Sequence, residues 1–195
     1  MTAKIKLNAA SGGGSVSLQA PSSSSNDRVY TLPDSAHIST LAGILEFDLF
    51  VLTTEFASNA DITSNLERSS IAGTASPIGS GMTVSSGVFT FPQTGKYLVA
   101  VAAEFLINGD DNAILETKLT TDGTNFTPVS RAVDGNPSGT RTGAASSYAF
   151  LDIVNTSTHK VKFTAVSLAS GSKVLGQAAS DTNLTTFIFV RIGDT

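Results

Sequence analysis

The sequence predicts an all-β protein, an antiparallel sandwich preceded by an extended N-terminal β arm. Three observations predict it. From about residue 40 onward, short apolar segments with strand-like alternation recur between Gly, Pro, Asn and Asp turns. No window sustains the i, i+3, i+4 spacing of an amphipathic helix for three turns. Only 14% of the 195 residues are charged against 41% hydrophobic, with 17 glycines, a balance that favours strands and turns over salt-bridged helices.

The arm occupies residues 1–40. Two alternating pieces, SVSLQA and RVYTL, flank the serine tract Ser22–Ser25, and Pro21 and Pro33 close them by fixing φ and removing a donor. Val16, Leu18, Val29, Tyr30 and Leu32 are the large apolar positions of these two pieces. A two-stranded ribbon with so little apolar surface is marginal alone in water, so these five residues are expected to work by attachment or assembly.

Residues 41–195 are expected to form one globular domain. LEFDLFVLT places Leu45, Phe47, Leu49 and Val51 on one face, with Glu46, Asp48, Phe50 and Leu52 on the other. GVFTFP is a short aromatic strand stopped by Pro92, and Gln93, Thr94 and Gly95 turn into KYLVAVAAEFLI. In that run Tyr97, Val99, Val101, Ala103 and Phe105 share a face, while Leu98, Ala100, Ala102 and Leu106 make the opposite face apolar too. ILETKLTTD leads to the hairpin signal Asp122–Gly123. Residues 131–145 are polar and Gly-rich without periodicity and read as a long loop. SSYAFLDIV, HKVKFTAVSL and LTTFIFVRI complete the set; in the last, Phe187 and Phe189 alternate with Ile188 and Val190, again leaving no solvent face. Antiparallel strands normally keep one solvated face. Strands lacking one need a cover, either loops of the same chain or another copy.

Composition excludes several classes. A net charge of -4 gives no basic field for binding nucleic acid. The absence of cysteine removes disulfides, thiolate nucleophiles and sulfur-ligated metal sites. MTAKIKLNAA lacks the apolar core of a signal peptide, and Glu46, Asp48 and Glu104 interrupt the apolar runs, so a soluble protein with no membrane partner is expected.

Catalytic chemistry has little to stand on. His37 and His159 have no partner at ligand spacing and read as exposed turn residues. There is no G-x-S-x-G elbow, and the glycine clusters lack the Lys-[Ser/Thr] of a phosphate loop. Glu46 and Asp48 share a strand face and could form an acid pair, but a solvated or interface-lining face explains them better. Asn108, Asp110, Asp111 and Asn112 have an oxygen-rich composition that suits Ca²⁺, yet they lack EF-hand spacing and read as a polar turn. Asn125, Asn155 and Asn183 begin glycosylation sequons, which mean little without a secretion signal. No catalytic residue, cofactor or metal is expected.

SSGVFTFPQTGKYLVAVAAEF at 85–105 resembles a signature of the C1q/tumour-necrosis-factor-like jelly roll, in which a short aromatic strand, a Pro-containing turn and "TGxY" lead into a long central strand. LEFDLFVLT resembles its first strand and LTTFIFVRIGD its last, so the likeness runs from about residue 42 to the end. The chain departs from animal members that carry cysteine or a long aromatic-rich receptor face, which argues against signalling. IKLNAASGGGSVSLQAPSSSSNDRVYTLPD resembles modules in virion proteins of tailed phages, particularly marine and cyanobacterial ones. Together the two resemblances imply a phage structural protein whose jelly roll forms a homotrimer. Tyr97, Val99, Val101, Phe105, Phe187 and Phe189 are the expected trimer contacts.

The expected function is non-enzymatic: a capsid decoration or cement protein, made in the host cytoplasm and carried on the capsid exterior. Its arm would grip the major capsid protein. The alternative is a tail-fibre or receptor-binding tip among tail proteins, with loops such as 131–145 reading host glycan.

Overall fold

A computed structural model describes residues 4–8, 11–13, 15–19, 44–71, 73–74, 77–109, 111–176 and 182–195. Contacts divide the chain into two units, Met1–Leu41 and Ala42–Thr195. Among the described residues there is no helix, and hence none long and apolar enough to cross a membrane.

In the first unit, β1 (Lys4–Asn8) and β2 (Ser15–Gln19) pair antiparallel. Ile5 stands opposite Leu18 and Leu7 opposite Val16. Gly12 and Gly13 in the connection adopt φ of 84° and 70°, a left-handed backbone that glycine enters without steric cost. Val29, Tyr30 and Leu32, the other expected arm residues, lie outside the described residues, as does His37.

The second unit is an antiparallel jelly-roll sandwich. Its strands are β3 (Glu46–Leu52), β4 (Leu66–Arg68), β5 (Thr83–Ser85), β6 (Val88–Thr90), β7 (Gly95–Asn108), β8 (Asp111–Thr120), β9 (Thr127–Asn136), β10 (Thr140–Ile153), β11 (Lys160–Val166), β12 (Lys173–Val174) and β13 (Thr186–Gly193). One sheet has the order β10-β7-β13-β3-β4, with β12 also on β7; the other has the order β5-β6-β11-β8-β9. The first and last strands of the unit therefore pair in the middle of one sheet. This closure places β13 between β3 and β7, so the fold needs its C-terminal strand to complete its core.

The core between the sheets is aromatic. Phe50, Phe89, Phe163, Phe187 and Phe189 stack or meet edge-on, with ring centroids 5.0 Å apart for Phe50–Phe89 and 4.2 Å for Phe163–Phe187. Such pairs each add about 0.5–1.5 kcal/mol beyond area burial. With no disulfide available, this packing is what holds the sheets face to face.

Turn chemistry follows the residues. Asp122 caps the β8–β9 hairpin: its Oδ1 accepts from the backbone of Thr124 and Asn125, both at 2.8 Å, and Gly123 takes φ of 84°. These donors hold the Asp122 carboxyl well below the usual carboxylate range. Residues 131–145 differ from the expectation of a loop, being the end of β9, a short turn and the start of β10. Gly135 and Gly143 disguise these strands in the sequence, and both are needed for close approach. A Cβ on Gly143 would overlap the Asp134 carboxylate, and one on Gly135 would crowd Asn112 Oδ1.

Candidate functional site

The six residues expected to join three copies lie elsewhere. Tyr97, Val99, Val101, Phe105, Phe187 and Phe189 are each 1% exposed or less within the single chain, inside the sandwich. Area already removed from water contributes nothing more on association, so these residues build the core of the single chain.

The outward face of the sheet that holds them is apolar along two rows. Phe150, Leu98, Val190 and Phe47 follow one another across β10, β7, β13 and β3 in register. Tyr148, Ala100, Ile188 and Leu49 form the next row. Phe150 is 74% exposed and Tyr148 61%, while Leu98, Ile188, Val190, Phe47 and Leu49 are half-buried. Beyond one end of the rows, Lys96 on β7 pairs with Asp152 on β10; toward the other, Ser146, Ala102 and Thr186 are aligned. An apolar centre with a polar rim is the anatomy of a protein–protein contact. In register beside the exposed Tyr148 stands the small Ala100, and beside Phe150 the half-buried Leu98.

The outward face of the second sheet is a different surface. Glu116 on β8 stands in register between Arg131 on β9 and Thr164 on β11. It takes ion pairs from Arg131 at 2.7 Å and Lys118 at 3.3 Å. Lys162 reaches Asp61 at 2.7 Å and lies over the Phe126 ring. Burial pushes the Asp61 carboxyl up, but bonds from Lys162 and Thr164 outweigh it and leave it below its ordinary value. This face is crossed by ion pairs and also carries one apolar row, Val133, Ile114 and Val166 in register, of which Val133 is 49% exposed.

Glu46 and Asp48 face inward, which corrects the expectation of a solvated or interface-lining pair. Both are buried, 7% and 1% exposed, because they anchor the segment 77–82. Glu46 Oε2 accepts from the backbone N–H of Ser80 and Gly81, and its Oε1 from Gln93 Nε2 at 2.8 Å. Asp48 accepts from Met82 N at 2.7 Å and from the Arg68 guanidinium. Their oxygens are occupied by fixed donors, which leaves no free acid–base pair. The small cleft beside them is about 10 Å³, room for roughly one water. Tyr97 closes its floor; burial, then the Glu46 charge, push its phenol up to about 12.

His159 is buried, 8% exposed, with Nδ1 against Thr158 Oγ1 at 3.1 Å, in place of the expected exposed turn. Asn108 spends its amide on Thr140 Oγ1 and the Ser170 carbonyl. Asp110 lies outside the described residues, and among the described residues no three His, Asp or Glu gather as metal ligands. Asp111, Asn112, Gly135, Asn136 and Pro137 line an open polar cleft of about 340 Å³ at the same end of the sandwich.

No family model and no curated protein matches the chain. Solved structures do. An Eiger TNF from S. frugiperda superposes with a TM-score of 0.58 at 14% identity, covering 78% of this chain and 95% of that one. The sandwich has a TNF-like jelly-roll fold. Murine APRIL at pH 5.0 agrees, with a TM-score of 0.54 at 11% identity over 75% of this chain and 98% of that one. The pH 8.0 form of murine APRIL gives 0.51 at 12% identity over the same shares. At such identities the TNF-like likeness speaks for the fold alone. The outward rows carried a sequence signal, the two-sided apolar character of 97–106 and 187–192, but that signal left open which side faced the core.

Proposed function

We propose that this protein is a non-enzymatic structural component of a virion: a homotrimeric TNF-like head that decorates and stabilises a phage capsid, with its N-terminal arm on the major capsid protein. The single observation that carries the assembly is the contrast between the two sheets. One outward face has the Glu116 ion pairs beside a single short aliphatic row, and the other holds two four-residue rows with large exposed aromatics, Phe150–Leu98–Val190–Phe47 and Tyr148–Ala100–Ile188–Leu49. A contiguous apolar face on a soluble head is stabilised by covering it with another copy. In the proposed trimer, which the TNF-like fold suits, Tyr148 and Phe150 on β10 of one copy pack against the outward rows of the next. The occupied carboxylates Glu46 and Asp48 support a role without catalysis. The virion assignment draws on the phage-like arm sequence.

Sedimentation equilibrium of the full chain tests the trimer, and a monomer at micromolar concentration overturns it. Mixing with capsids that lack the protein tests the partner: co-sedimentation and raised heat resistance are expected, and failure to bind removes the capsid assignment.

The cleft of Asp111, Asn112 and Asn136 favours one other reading, a tail-fibre or receptor-binding tip whose polar end takes host glycan. Adsorption of labelled protein to host cells, abolished by Asn112→Ala, would move the assignment from capsid to tail.

A further inference from the structure

Residues 77–82 lie along the edge of β3 that faces away from β13, beyond the reach of β4, which pairs only at Phe50, Val51 and Leu52. Among the described residues, their one backbone link to β3 is the exchange between Ile78 and Phe47. The next amides are caught by side chains. Ser80 and Gly81 donate to Glu46 Oε2 at 3.0 and 3.2 Å, Met82 donates to Asp48 Oδ2 at 2.7 Å, and the Met82 carbonyl accepts from Arg68. Past these catches the Met82 side chain is buried, 2% exposed, and lines the small cleft together with Tyr97, Phe189 and Pro92.

A strand ladder cannot part without its sheet, whereas catches of this kind can. Lifting the strap breaks no strand pair of the sandwich beyond the Ile78 bridge, and β3 keeps β13 in register from Glu46 to Val51. Segments with few backbone bonds occupy the low end of local stability, and Gly79 and Gly81 regain the most conformational freedom on release. We propose that residues 77–82 are a latch: the strap opens as a unit while the sandwich stays folded, with Glu46 and Asp48 as its catches. Opening withdraws Met82 from the core, uncovers the β3 edge at 46–48 and leaves an apolar slot walled by Tyr97, Phe189 and Pro92. No second copy is needed, so the latch stands or falls apart from the trimer.

Met82 is a built-in reporter, since Met1 is the chain's other methionine. Hydrogen peroxide transfers one oxygen atom to the thioether sulfur and leaves as water, and a sulfur sealed in a core reacts slowly. The full chain is treated with peroxide in dilute urea, and peptide mass spectrometry reads Met82 apart from Met1. With the latch, Met82 oxidises at a rate nearly independent of urea below the unfolding transition. Glu46→Gln keeps the shape of one catch and loses its charge, and should raise that rate roughly tenfold by weakening two charge-assisted bonds. Asp61→Asn, which touches Lys162 and Thr164 on the other sheet, should leave it unchanged. Oxidation that climbs with urea in step with global unfolding by circular dichroism overturns the latch. So does equal acceleration in both variants, no acceleration in Glu46→Gln, or a folded chain whose Met82 does not react.

Discussion

Arg68 straddles the carboxylate of Asp48, with Nε 3.0 Å from Oδ1 and Nη2 2.7 Å from Oδ2, although Asp48 lies on the core-facing side of β3. The same guanidinium donates to the Met82 carbonyl at 2.8 Å, and Asp48 accepts from the Met82 N–H. One ion pair thus ties three chain segments, β3, β4 and the approach to β5.

Removing Asp48 strands a buried donor, the Met82 N–H, whereas Arg68, 43% exposed, keeps the Met82 carbonyl and water. Asp48→Ala is expected to destabilise the head by about 1–3 kcal/mol, since the Met82 N–H loses its acceptor and Arg68 loses one of its two. Urea denaturation followed by fluorescence or circular dichroism measures it; a loss under about 1 kcal/mol would mean the segment is held by other contacts.

Two substitutions on opposite faces of one sheet should fail in different ways. Phe150→Glu, on the outward row, is expected to leave the fold intact and shift the sedimenting species from trimer to monomer. Val101→Glu, inside the sandwich, should abolish folding by burying an unpaired charge. If Phe150→Glu remains trimeric, the outward rows are not the contact.

Gly143 and Asp134 constrain each other. Gly143→Ala would drive Cβ into Asp134 Oδ2, displacing the carboxylate from Arg141 and Gly135 N, at an expected cost of about 1–3 kcal/mol. In a double-mutant cycle, Asp134→Ala should relieve most of that cost. Additive effects would show that the two positions do not compete for the same space.

Alkaline pH should weaken the fold through Tyr97. Its phenol is pushed up to about 12 in the folded chain from an unfolded value near 10, so the protonated form is favoured by folding. The resulting stability is fully present below about pH 10 and is lost as pH rises toward about 12, where the unfolded chain sheds its proton first. Denaturation midpoints measured across this range should fall for the wild type and less for Tyr97→Phe.

Much of the fold was legible in the letters. The Asp122–Gly123 hairpin was readable because a turn that needs φ above zero selects glycine locally. The "TGKY" entry to β7 and the Pro92 stop were readable for the same reason, since local steric rules act within a few residues. The strands at 131–145 were not, because Gly135 and Gly143 interrupt the alternation to admit Asn112 and Asp134 from neighbouring strands. Their spacing answers to residues more than twenty positions away in the first case and to a facing strand in the second.

The sequence by itself determined that this is a cysteine-free, mildly acidic all-β chain whose long strands are apolar on both sides, because composition and a period of two are properties of the letters. Only the tertiary structure decided which side became core. Alternation is blind to the sign of a face, and charge misleads here: β3 turns Glu46 and Asp48 inward, because the backbone N–H groups of 80–82 and the Arg68 guanidinium wait there to satisfy them. That choice sent Phe47 and Leu49 outward, into line with Phe150 and Tyr148.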